Sequence, residues 1–113
     1  MHEYSIVQSL LGRVQREVAA RNGTEVHRLW VRIGELSGVE IELLQTAYQM
    51  CRVDTLCEHA PMEVSRQEAR WECPQCGTSI ARGMRLTCDA CGRPARLVNG
   101  DEIMLDRIEM EVA

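Results

Sequence analysis

Phenylalanine and lysine are both missing from this 113-residue chain. Without lysine, Schiff-base and lysine-nucleophile chemistry is excluded. Without phenylalanine, aromatic content falls to 4%, so folding of so short a chain is only marginally favoured by burial and a staple such as a metal is expected. Long apolar runs are lacking too. No uncharged stretch approaches the roughly 20 residues that a membrane span requires, and the first residues lack the zones of a signal peptide. The expectation is a cytoplasmic protein without membrane contact. There, thiols stay reduced, so closely spaced cysteines read as metal ligands or redox groups before they read as disulfides.

The formal charge of −4 argues against a general nucleic-acid binder, which needs a cationic footprint. Charge is uneven, however. Between Arg70 and Arg96 five arginines stand against Glu72 and Asp89, so this segment is suited to docking on something acidic.

The length suits one lobe with an insert. From Ser5 to about Ala20, Ile6, Val7, Leu10, Leu11, Val14 and Val18 recur at helical steps, and Asn22-Gly23 supplies a left-handed stop. Leu29, Val31 and Ile33 then alternate with Arg28, Trp30 and Arg32 in a half-buried strand over Glu25 to Ile33, closed by Gly34. Ser37 three residues before Glu40 has capping-box spacing, and Ile41, Leu44, Ala47, Tyr48 and Cys51 form a second helical stripe starting near Val39. Met62 to Trp71 predicts a strand after Pro61, and Ile103 to Val112 predicts a last strand with Ile108, Met110 and Val112 on one face. The fold class is therefore α+β: a three-stranded sheet covered by two helices, with a zinc-ribbon-like insert before the last strand. The boundaries fall at residues 1–69 for the main lobe, 70–99 for the insert and 100–113 for the returning strand.

Two C-x-x-C-G units, Cys73 to Gly77 and Cys88 to Gly92, lie 11 residues apart, counting between Cys76 and Cys88. A two-residue spacer lets both sulfurs of a pair face one ion, and the glycine permits the positive φ that closes the turn. Two such knuckles make a closed tetrahedral S₄ site for a structural Zn(II) at Cys73, Cys76, Cys88 and Cys91, with no open position for a reacting water. The alternatives are a rubredoxin-like iron site, two disulfides or a thioredoxin-type redox pair, the last needing one C-x-x-C at a helix N-terminus. Cys51 falls on the apolar stripe of the second helix and reads as a small core residue. Cys57 and His59 lie in a loop and stay unassigned.

The chain begins Met1-His2-Glu3. A free α-amine, the deprotonated His2 amide and His2 Nδ1 close five- and six-membered chelate rings around one ion, a planar nitrogen set that suits Ni(II) or Cu(II). The fourth donor is open between the Glu3 amide, a carboxylate of Glu3 or Glu40, and a residue of another protein. Alone, a His at position 2 is more often an ordinary polar start before a helix.

Met1-His2-Glu3-Tyr4-Ser5, the Val31-Arg32-Ile33-Gly34-Glu35-Leu36-Ser37 stretch, the two knuckles and the Ile108-Glu109-Met110-Glu111 ending together resemble the HypA/HybF family of nickel incorporation proteins, over the full length and in the family's order. The resemblance implies a non-enzymatic nickel metallochaperone. It implies exchangeable nickel at Met1, His2 and Glu3 with Glu40 nearby, zinc at the four knuckle cysteines, and a HypB-type GTPase and the NiFe-hydrogenase large subunit as partners. A second copy of the chain is a further partner to consider. The competing readings are a zinc-ribbon interaction or nucleic-acid module and a thiol oxidoreductase; neither accounts for Met1-His2-Glu3.

Overall fold

The computed structural model describes the backbone from residue 2 and the side chains from residue 3 onward. Helix α1 spans His2–Ala20 and so begins ahead of the expected Ser5, which puts His2 inside the first turn instead of before it. Glu3 lies in that turn, where a carboxylate complements the exposed N–H groups of a helix start. Val7, Leu10, Val14 and Val18 are buried along one stripe, with Ile6 and Leu11 packed at its margin. Asn22 adopts a left-handed φ of 55° and turns the chain into β1, Gly23–Gly34.

Helix α2 spans Ile41–Cys51 and buries Leu44, Ala47 and Tyr48. Its start departs from the expected capping box. The Ser37 hydroxyl donates to the Gly34 carbonyl at 2.7 Å and accepts from the Val39 N–H, closing the preceding turn. The N-cap residue is Glu40, whose side chain makes no cap bond. Its own N–H donates to the Glu3 carboxylate at 3.2 Å, so the start of α1 braces the start of α2.

Strand β2, Met62–Gln67, returns parallel to β1 after the α2 crossover, and β6, Ile103–Val112, pairs antiparallel on the other side, giving the order β2-β1-β6. The two helices pack on the face that carries Val26, Leu29, Val31 and Ile33. The opposite face is charged: Arg107 lies 4.6 Å over the Trp30 ring and Arg32 bonds Asp106 at 2.8 Å. This agrees with the expected fold class.

The single strand expected over Met62 to Trp71 is two strands in two sheets. Backbone crowding explains the break. A Cβ on Gly34 would sit 2.3 Å from the Gly100 carbonyl carbon, and one on Gly100, whose φ is +112°, would sit 2.4 Å from Ala69 Cα. At this crossing the Ala69 N–H leaves the ladder and donates to the Glu35 carboxylate at 2.5 Å. Beyond it, β3 (Arg70–Glu72), β4 (Ser79–Ile80) and β5 (Arg96–Asn99) form a separate small sheet in the order β4-β3-β5. The molecule is elongated, 55 × 29 × 17 Å.

Candidate metal centre

The two knuckles are built alike. In the first, the Cys73 N–H donates to the Thr78 carbonyl and the Gly77 N–H to the Cys73 carbonyl. In the second, the Cys88 N–H donates to the Arg93 carbonyl and the Gly92 N–H to the Cys88 carbonyl. Gly77 and Gly92 take φ values of +70° and +73°, the left-handed conformation the sequence predicts there. Each turn thereby folds back on its first cysteine.

All four sulfurs of Cys73, Cys76, Cys88 and Cys91 lie within 4.8 Å of one another. Across the knuckles, the Cys73 and Cys91 sulfurs are 3.5 Å apart and those of Cys76 and Cys88 are 4.0 Å apart. A tetrahedron with metal–sulfur bonds near ~2.3 Å has edges of about 3.8 Å, so the cluster is positioned for a metal such as zinc. Electrostatics point the same way. The Cys76 N–H, donating to the Cys73 sulfur at 3.3 Å, leads in lowering the Cys73 thiol to about 6. Crowding by the Cys91, Cys73 and Cys88 thiols pushes Cys76 up to about 12. Four crowded sulfurs cannot all be thiolates without a cation between them. Cys73 and Cys88 are buried while Cys76 and Cys91 are exposed, so one edge of the site faces solvent.

The insert is anchored to the main lobe by a pair that sequence reasoning did not single out. Arg82 donates to both oxygens of Glu35, at 2.6 and 2.8 Å. This fork, with the Ala69 N–H next in importance, holds the Glu35 carboxyl at about 2, far below its ordinary value. The only signal in the sequence was an acid placed directly after the glycine that ends β1.

Of the remaining cysteines, Cys57 is buried, and loss of hydration pushes its thiol up. His59 is largely exposed and lies beside Glu58. Cys51 is half-buried at the core margin, close to its expected place, and its nearby thiol is the main cause that pushes the Tyr4 hydroxyl up. Among the described residues the knuckle cysteines are the one group of this kind. Met1 and the His2 side chain lie outside the described residues. Glu3 is buried at 7% exposure against the backbone of Glu40, whose side chain is exposed.

The profile of the family described as hydrogenase/urease nickel incorporation, metallochaperone, hypA matches residues 1–110. The chain belongs to the HypA family. Its relatives include hydrogenase maturation factors HypA of Shewanella halifaxensis, 35% identical with both chains covered in full, and of Nitrosospira multiformis, 37% identical over 97% of each chain. A solved structure titled solution structure of HypA protein matches with a TM-score of 0.82 at 25% identity, covering 100% of this chain and 98% of that one. The solution structure of the Ni metallochaperone HypA from Helicobacter pylori shares the fold, with a TM-score of 0.77 at 24% identity over 98% of each chain. As a HypA protein the chain is a nickel incorporation metallochaperone for hydrogenase, and its four-cysteine cluster is positioned for a metal such as zinc. Among the described residues no helix is long and apolar enough to cross a membrane.

Proposed function

We propose that the chain carries two metals in different roles: structural zinc held by Cys73, Cys76, Cys88 and Cys91, and exchangeable nickel at Met1-His2-Glu3. The observation that carries the nickel reading is the brace between Glu3 and Glu40 at the start of α1. The first N–H groups of a helix have no intrahelical acceptor, so the His2 and Glu3 amides can be deprotonated by a metal without breaking a helical bond. The helix dipole at that end favours the resulting negative nitrogens. With its carboxylate buried on the Glu40 N–H, Glu3 is placed to serve through its amide, and the exposed Glu40 side chain stands close by.

Such a nitrogen set holds nickel as cargo and passes it on when a partner supplies competing donors; it provides no catalytic group. Family membership supports delivery to the NiFe-hydrogenase large subunit together with a HypB-type GTPase, in the cytoplasm. In this reading residues 1–69 and 100–113 form the nickel lobe and 70–99 the zinc insert. The test is His2→Ala. Calorimetric nickel titration should show binding abolished while the thermal melt and zinc content stay at wild-type values; retained micromolar nickel binding would remove His2 from the site.

A further inference from the structure

Among the described residues, Arg32 Nε and Asn99 Oδ1 are the buried side-chain polar atoms that find no hydrogen-bond partner. Both residues line one cavity of about 160 Å³. It lies at the seam where Arg32 of β1, Gln67 of β2 and Met104 of β6 meet Asn99, the last residue of β5, and Gly100. A polar atom inside a protein that gives up water without a partner costs free energy, and two of them on one cavity call for an occupant.

The two atoms are of opposite sense. Arg32 Nε carries a hydrogen to donate, and Asn99 Oδ1 has lone pairs to accept one. The rest of the guanidinium is committed: Nη1 donates to Gln67 Oε1 at 3.0 Å, and Nη2 donates to Asp106 at 2.8 Å with the Met104 sulfur at 3.6 Å. Charge then chooses among the groups that offer an acceptor beside a donor. Asp106 already neutralises Arg32, and Glu102 adds a second carboxylate to the cavity wall, so an anion is repelled where a neutral group is not. A neutral carbonyl joined to an N–H is an amide. At ~30 Å³ for a water's share of liquid volume, the cavity has room for about five non-hydrogen atoms. Met104 is 40% exposed, and a flexible thioether of this kind can swing aside to admit a ligand to the guanidinium behind it.

We propose that this cavity binds a neutral carboxamide, presented by another protein as an Asn or Gln side chain or as a peptide bond, with its carbonyl on Arg32 Nε and its N–H on Asn99 Oδ1. Such a ligand touches the main sheet and the end of the insert at once. The site uses no residue of either metal site and does not depend on where nickel binds.

Acetamide tests it on the full zinc-loaded chain, with acetate and N-methylacetamide beside it, by following the Arg32 Nε–H and Asn99 side-chain amide signals in nitrogen–proton spectra. Acetamide should shift both signals saturably with a dissociation constant near ~1 mM, within the ceiling for so small a ligand. Acetate should bind at least about tenfold more weakly, because Asp106 and Glu102 oppose its charge. N-methylacetamide binding as well as acetamide supports the proposal with a peptide bond as the source, and weaker binding supports it with a side-chain carboxamide. Asn99→Ala should weaken acetamide about fivefold, the loss of one hydrogen bond. The proposal is overturned by an Arg32 signal that acetamide leaves unmoved, which would mean that the cavity holds water alone. It is overturned equally by acetate binding as tightly as acetamide, or by a folded Asn99→Ala chain that binds like wild type. Should Asn99→Ala fail to fold, the selectivity of the wild-type chain for acetamide over acetate decides.

Discussion

Removing zinc should unfold the insert and leave the main lobe standing. Between Arg70 and Asn99 the only buried side chains are those of Cys73 and Cys88, while Trp71, Ile80 and Leu97 are half-buried. Full burial of such side chains stabilises by roughly 1.5–3 kcal/mol each, so partial burial of three contributes a few kcal/mol. A structural zinc contributes apparent binding free energy on the order of 10 kcal/mol, which outweighs that contribution. The main core, from Val7 and Leu10 of α1 through Leu29 and Tyr48 to Met62, takes no side chain from the insert. Chelation at neutral pH, followed by amide exchange residue by residue, should strip protection from the stretch Arg70 to Asn99. The amides of α1 and β1 should keep theirs. Protection in the insert that survives complete removal of zinc, verified by metal analysis, would refute this reasoning.

Two further outcomes follow from side chains at the joint and in the core. Because the Arg82 fork holds the Glu35 carboxyl at about 2, its contribution is complete above the ordinary carboxylate range near ~4.3 and is lost as pH falls toward about 2. A carboxyl chemical-shift titration of Glu35 should therefore have its midpoint well below ~4, and Glu35→Gln should accelerate exchange at the Ala69 amide; an ordinary midpoint would contradict the clamp. Tyr48→Phe removes a buried hydroxyl that donates to the Ala60 carbonyl at 2.7 Å, but that carbonyl still accepts from Arg52 at 3.0 Å. The urea midpoint should show a loss of about 1 kcal/mol, and a loss above ~3 kcal/mol would mean that the hydroxyl holds more than this bond.

Much of the fold could be read from the sequence because its signals are local. The stripes of α1 and α2, the alternation of β1 and the C-x-x-C-G knuckles each depend on residues a few positions apart. What was missed depends on distant partners. The early start of α1 involves Glu3 with the backbone N–H of Glu40 at the start of α2. The division of Met62 to Trp71 is set by Gly34 and Gly100 meeting near Ala69, and the anchor of the insert joins Glu35 to Arg82, 47 positions later. The knuckle cysteines were legible as a set, since glycine position and spacing fix the geometry of each turn. Glu35 was not, because nothing near it in sequence reveals its arginine.

The central claim is that nickel binds at the free N-terminus, apart from zinc. Its most direct test is a nickel titration of the untagged chain beside one extended by two residues ahead of Met1, with zinc measured in both. Extension turns the α-amine into an amide and moves His2 out of position 2, so nickel affinity should fall by at least about tenfold, roughly 1.4 kcal/mol, with zinc content unchanged. Equal nickel affinity in the two chains would contradict the claim.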